Sequence, residues 1–313
     1  MKAGIIGIGA VGSATAMAIA LRARVRELVL LDRDRRRAKA VATDMHYGVP
    51  LSPLVTVADG DYADLAGAGL VIIAAGVNEK AGGATDRNDP AGRLRLLGPN
   101  VKVFEDIVPR LVSAAPEAVI LIATNPPEPL VEVARRLAGH ERVLSTSTYL
   151  DSLRFRVHLA ERLGVSPTCV DAYVVGEHGT SSVFLWSSAR IGGMSVRDML
   201  AERRIAYGEF QKAIEHDVRY ANITIIEGIG ASQYGIGMVA GRVAEVVLRD
   251  ERAVFPAGSH IERFGVALSL PSVIGRGGVS KVLWPEMSAD EMRALEHSAE
   301  TLKSVVRNYV NPN

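Results

Sequence analysis

The 313-residue chain is 48% hydrophobic and carries 36 basic against 35 acidic residues, for a net charge of +1. Such a balance argues against a nucleic-acid surface or an anionic membrane as the main partner, and the length suits two domains with ample apolar content for a core. A single cysteine, Cys169, excludes an internal disulfide and any multi-cysteine metal site, so no metal is expected and a reducing cytoplasm is.

Ala3 to Ile8 reads as a strand almost at the start, which leaves no room for a signal peptide. No apolar run reaches membrane-spanning length, so a soluble cytoplasmic protein is expected. Further strands are predicted at Leu28–Leu31, Leu54–Val57, Leu70–Ala75, Val119–Ile122 and Val143–Leu144. Amphipathic stretches between them predict helices at Val11–Ala23, Arg35–Tyr47, Arg93–Val112 and Pro129–Ala138. Strands alternating with helices predict an α/β fold, a Rossmann-type doubly wound parallel sheet. After about Leu150 the pattern changes to helices at Ser152–Leu163, Ile205–Ile229 and Gln233–Arg249, then an antiparallel pair from Ala253–Ala257 and Phe264–Leu270. Ser288-Ala289-Asp290-Glu291 is a capping box that opens a last helix. The expected division is residues 1–145 as a dinucleotide-binding domain and 146–313 as an α+β substrate domain, meeting at a packed junction.

The segment Gly7-Ile8-Gly9-Ala10-Val11-Gly12 follows the first strand, opens an alanine-rich helix and matches the dinucleotide fingerprint. Its first glycine permits a tight turn, its second a close approach to a pyrophosphate, and its third close helix packing. Asp32 falls 20 residues after Gly12, at the end of the second strand, where a carboxylate accepts from ribose hydroxyls and repels a 2′-phosphate. NAD is therefore the expected cofactor. A helix cap is the other reading of Asp32, and the run Arg33 to Arg37 is either a solvated helix face or a site for that phosphate.

Farther on, Asp151 and Arg154 lie three positions apart, and Val174-Val175-Gly176-Glu177-His178-Gly179 places a histidine between glycines after a short apolar run. A histidine near neutrality, a carboxylate to orient it and an arginine to hold an anion are the parts of a site acting on a 2-hydroxy acid. With Ala74-Ala75-Gly76, Ala123-Thr124-Asn125-Pro126, Gly230 to Gly235 and Ser298 to Val305, these motifs follow one another in an order that resembles the lactate/malate dehydrogenases over nearly the whole chain.

The resemblance implies an NAD-dependent oxidoreductase for an L-2-hydroxy acid and its 2-oxo acid. In it His178 exchanges the proton, Asp151 holds the second imidazole nitrogen, and Arg154 grips the substrate carboxylate. Arg93 polarises the substrate carbonyl, with Arg87 and Arg95 as competitors for that place. Asn125 contacts the substrate or the nicotinamide region, and Ser232 is a pocket residue or a helix cap. Gly7, Gly9, Ala10, Val11, Gly12, Asp32, Ala75, Gly76 and Asn125 bind the cofactor. Family members are usually dimers or tetramers, so self-association is expected, with Val239 to Val247 either interface or core.

The chain departs from the family in the loop after Gly76, which is longer than usual. The position that separates lactate from malate enzymes is Glu79, matched forward from Gly76. A glutamate about 4 Å from a second substrate carboxylate costs around 4 kcal/mol at an effective dielectric of 20. That favours L-lactate/pyruvate or a related monocarboxylate. Arg87 in the same loop keeps malate as the alternative, and a non-catalytic dinucleotide-binding protein is the competing class. Family members activated by fructose 1,6-bisphosphate hold phosphates with an arginine and a histidine; here the arginine matches Arg156 but the histidine position is Asp171, so no such activation is expected.

Overall fold

The runs Leu70–Ile73 and Val119–Ile122 are apolar at every position and wholly buried, as strands covered on both faces must be. They lie at the centre of a computed structural model that describes residues 1–22, 25–77 and 92–310. Its first half comprises β1 (Lys2–Ile6), α1 (Ala10–Arg22), β2 (Glu27–Leu31), α2 (Arg35–Gly48), β3 (Thr56–Asp59), β4 (Leu70–Ile73), α3 (Leu97–Ala114), β5 (Val119–Ile122), α4 (Pro127–Ala138) and β6 (Val143–Ser145). Then come α5 (Tyr149–Leu163), β7 (Val170–Asp171), β8 (Val174–Val175), β9 (Val183–Phe184), β10 (Arg190–Ile191), β11 (Met194–Ser195) and α6 (Val196–Glu202). The chain closes with α7 (Tyr207–Ile229), α8 (Tyr234–Arg249), β12 (Ala253–Ile261), β13 (Val266–Gly275), β14 (Gly278–Val282) and α9 (Ala289–Val310).

Strands β3-β2-β1-β4-β5-β6 pair in parallel in that order, so the winding reverses between β1 and β4. In such sheets the crevice at the carboxyl ends of the strands beside that reversal is where a dinucleotide binds. One apolar layer, with α1, α2 and α8, covers one face, and α3 and α4 cover the other. The antiparallel strands β12, β13 and β14 continue the same sheet, because Gly258 of β12 pairs with Ser145 of β6. The expected antiparallel pair is therefore longer than its apolar runs and carries a third strand.

Two expectations shift and one open choice is resolved. The third strand starts at Thr56, because Leu54 is 89% exposed and only the residues after it meet β2. The helix expected from Arg93 begins as a 3₁₀ turn over Gly92–Leu96 and turns α-helical at Leu97, with Pro99 in its first turn, where a missing N–H costs nothing. Val239, Val243, Val246 and Val247 are core: α8 packs on α1, with Gly237 and Gly241 close against Ala14 and Ala18. Helix α9 starts as expected, with Ser288 Oγ accepting from Glu291 N at 3.2 Å and Glu291 Oε2 accepting from Ser288 N at 2.7 Å.

Candidate active site

The glycine loop lies at the carboxyl end of β1. Gly7 adopts φ +96°, and a Cβ on it would stand 2.4 Å from Ala75 N. A Cβ on Gly12 would stand 1.9 Å from Gly7 O, so only glycine lets α1 start this close to the turn. Nothing lies within 4 Å of the corresponding point on Gly9, which leaves that backbone open to an incoming group. Asp32 Oδ2 accepts from Ile8 N at 2.7 Å and Oδ1 from Asp34 N at 2.9 Å. The cap of α2 is Asp34, which accepts from Arg36 N, so the capping reading of Asp32 falls away. A cavity of about 830 Å³ runs past Gly7, Gly9, Asp32, Ala75 and Gly76, roomy enough for a nucleotide half. It adjoins a second of about 340 Å³, bordered by Gly9, Ala10, Val11, Gly76, Asn125, Arg154, His178 and Ser232. An open backbone at Gly9, helix α1 starting at Ala10 and a carboxylate beyond are the donor and acceptor set a dinucleotide needs.

His178 stands at the second cavity because α5 is tied to β8 and the residue after β8 to β13. Thr148 Oγ1 donates to Val174 O at 2.5 Å, Ser152 Oγ accepts from Val174 N at 2.9 Å, and Gly176 exchanges both backbone hydrogen bonds with Ser269 at 2.9 Å. The helical spacing of α5 then presents Asp151 and Arg154 on one face. Asp151 Oδ2 lies 2.5 Å from His178 Nδ1, and Oδ1 accepts from Arg154 Nη1 at 3.1 Å. The three side chains are only 10 to 14% exposed, so solvent screens them little. With an anionic acceptor at Nδ1, that nitrogen carries the hydrogen, and Nε2 is the one left for a ligand.

The neighbouring loops are fastened by polar groups. Asn100, fully buried, donates from Nδ2 to Asn125 O at 2.6 Å and accepts Val77 N at Oδ1 at 2.7 Å. Thr124 Oγ1 donates to Ala75 O at 2.9 Å. On the far side, Ser298 Oγ of α9 accepts Glu177 N at 2.9 Å. Glu128 was missed by sequence reasoning altogether. It is 1% exposed, accepts from the Ser147 hydroxyl, and takes the His178 main-chain N–H at 3.2 Å on the same oxygen, Oε1. Burial pushes its carboxyl up to about 7, against the pull of His178 and the Ser147 hydrogen bond and with a push from Glu177. The one signal available was its spacing, four residues before Glu132 on a helix whose other early positions are apolar.

The fold thus brings His178, Asp151, Arg154, Asn125, Ser232 and the glycine loop to one crevice. Ser232 is not the cap of α8, whose N-cap is Gln233. Glu79 and Arg87 lie outside the described residues, as does the side chain of Arg93.

A doubly wound sheet with an open glycine loop, beside a histidine whose inner nitrogen is held by a carboxylate, defines a dinucleotide-dependent dehydrogenase. The chain belongs to the lactate/malate dehydrogenase family: residues 1–144 match its NAD binding domain and residues 148–311 its alpha/beta C-terminal domain. Its cofactor is NAD. It is 46% identical over 312 residues to an L-lactate dehydrogenase of Thermus aquaticus, covering 97% of each chain. It is 43% identical over 309 residues to an L-lactate dehydrogenase of Chloroherpeton thalassium, covering 98% of this chain and 99% of the relative. The crystal structure of a lactate dehydrogenase enzyme from a Medee basin deep-sea metagenome library superposes with a TM-score of 0.89 at 30% identity, covering 98% of both chains. Among the described residues no helix is long and apolar enough to cross a membrane.

Proposed function

We propose that this enzyme is an L-lactate dehydrogenase, interconverting L-lactate and pyruvate. The observation that carries the reading is the His178–Asp151 contact at 2.5 Å with Arg154 beside it, in a cavity that also borders the glycine loop. The names of the relatives support lactate as the acid.

Arg154 binds the substrate carboxylate through its remaining guanidinium donors, a planar fork suited to two parallel hydrogen bonds. His178 Nε2 gives its proton to the oxygen that becomes the hydroxyl, and takes it back in the reverse direction. Asp151 steadies the imidazolium left with both protons and keeps Nε2 aimed at the cavity. When bound, the nicotinamide supplies or accepts the hydride. Arg93 completes the grip on the carbonyl, Glu79 turns away a second carboxylate, and Asn125 and Ser232 bound the pocket. Asp32 holds the adenine ribose, and Gly7, Gly9, Ala10, Val11, Gly12, Ala75 and Gly76 receive the rest of the dinucleotide. Residues 1–145 serve the cofactor and 146–313 the substrate. The enzyme works in the cytoplasm as a homo-oligomer, its helix pair α1 and α8 presenting Met17, Leu21, Tyr234 and Met238, each more than half exposed.

Oxidation of NADH followed with a panel of 2-oxo acids tests the reading. Pyruvate is expected to exceed oxaloacetate in kcat/KM, and NADH to exceed NADPH at equal concentration. A preference of about 100-fold for oxaloacetate would replace lactate by malate.

Arg156 is already engaged: Nε donates to Ala172 O at 3.0 Å, Nη2 lies 3.5 Å from Asp171 Oδ1, and the guanidinium sits 5.0 Å from the Tyr173 ring. A bisphosphate arriving here meets the Asp171 carboxylate. Fructose 1,6-bisphosphate is therefore expected to leave the initial rate unchanged, and stimulation of about tenfold would refute this.

A further inference from the structure

Glu128 is an odd choice if its task is only to join two loops. Oε1 takes both the His178 main-chain N–H and the Ser147 hydroxyl, while Oε2 is buried with no hydrogen-bond partner among the described residues. A buried carboxyl with an idle oxygen is costly, and a neutral amide could accept the same two hydrogen bonds. What an amide cannot do is ionise. We propose that Glu128 is a positioning residue of the proton relay: its carboxyl fixes the backbone of His178 and, once ionised, supplies a second negative charge that keeps the imidazole protonated. The inference rests on the dehydrogenase reading above.

The surroundings set the sign. His178 attracts the carboxylate and Ser147 hydrogen-bonds to it, while Glu177 on the histidine's own loop repels it. Of the charged groups farther along its helix, Glu132 is taken up by His260 of β12 at 2.6 Å and by Arg135 at 3.2 Å. Helix α9 meets the loop with the neutral hydroxyl of Ser298. His178 is thus the cation in a position to be stabilised, and Asp151 already stabilises it from Nδ1. With the Glu128 carboxyl held up at about 7, the group is neutral below that pH and anionic above it. Reduction of a 2-oxo acid needs the protonated imidazole. An anion that appears beside the imidazole as Glu128 ionises favours its protonated form.

The test compares kcat/KM for pyruvate from pH 6 to pH 9 in the wild-type enzyme and in Glu128→Gln. Below pH 7 glutamine mimics the neutral acid, and the two rates are expected to agree within about twofold. Above it the variant lacks the second anion beside the imidazole, so its rate falls below that of the wild type by a ratio that grows with pH to about tenfold. A purely structural role lowers the rate by one factor at every pH, and a pH-independent ratio overturns the proposal. Should the glutamine variant not fold, Ser147→Ala replaces it. Removing that hydroxyl delays ionisation of Glu128, so a smaller loss, about threefold and again confined to the alkaline side, is expected; a uniform loss overturns the proposal. A wild-type enzyme that oxidises NADH with no 2-oxo acid removes the dehydrogenase reading itself, an outcome distinct from active enzymes with parallel profiles.

Discussion

His178→Gln is expected to lower kcat for pyruvate reduction by about 10²–10⁴, the range that a positioned general acid contributes. Glutamine is polar and of similar length, so the cavity keeps its shape and Arg154 keeps its place beside Asp151. What disappears is the group that surrenders the proton, and the substrate oxygen must take its proton from water. Since the carboxylate grip stays, KM should move far less than kcat. Asp151→Asn acts through the same imidazole, because an amide 2.5 Å from Nδ1 can donate to that nitrogen and leave the hydrogen on Nε2 in the wrong protonation cycle. The double variant is therefore expected to be no slower than the worse single one, within about threefold. NADH turnover by the three variants decides it. A His178→Gln enzyme with more than a tenth of wild-type kcat would show that the proton comes from elsewhere.

The residues legible in the sequence are those whose roles are set by short-range geometry. Gly7 to Gly12 is readable because backbone clearance dictates glycine, and the clash of a Gly12 Cβ with Gly7 O is a contact within one turn. Asp151 and Arg154 are readable as a pair because a helix puts them on one face, and their hydrogen bond spans three residues. The alternation of apolar runs and helices was enough for the parallel half of the sheet. Its continuation was not, because the register of β12 against β6 depends on a contact between Gly258 and Ser145 that no local pattern encodes. Leu54 misled for the same reason: an apolar residue before a strand reads as part of it unless the surface is known. Glu128 is the sharpest case. An acid in the first turn of a helix is ordinarily a solvated partner of the helix dipole, and only the arrival of His178, 50 residues later, makes it a buried neighbour of the relay.

Arg154→Leu is expected to reduce kcat/KM for pyruvate by about 10²–10⁴, from the loss of two charge-assisted hydrogen bonds worth roughly 1.5–3 kcal/mol each. The loss should fall mainly on KM, since the substrate carboxylate is bound alike in the ground state and the transition state. One complication lies in the geometry. Arg154 also donates to Asp151 at 3.1 Å, so leucine leaves that carboxylate with one fewer partner and perturbs the relay as well as the grip. Arg154→Lys separates the two effects. Lysine keeps a positive charge near Asp151 but offers a point charge where the substrate needs a planar fork. If carboxylate recognition dominates, lysine recovers only a small part of the leucine loss, and KM remains high. If support of Asp151 dominates, lysine restores most of kcat, and Arg154 is then chiefly a partner of the relay. Saturation kinetics with pyruvate for the two variants distinguishes these results, and a leucine enzyme with an unchanged KM would remove Arg154 from substrate binding.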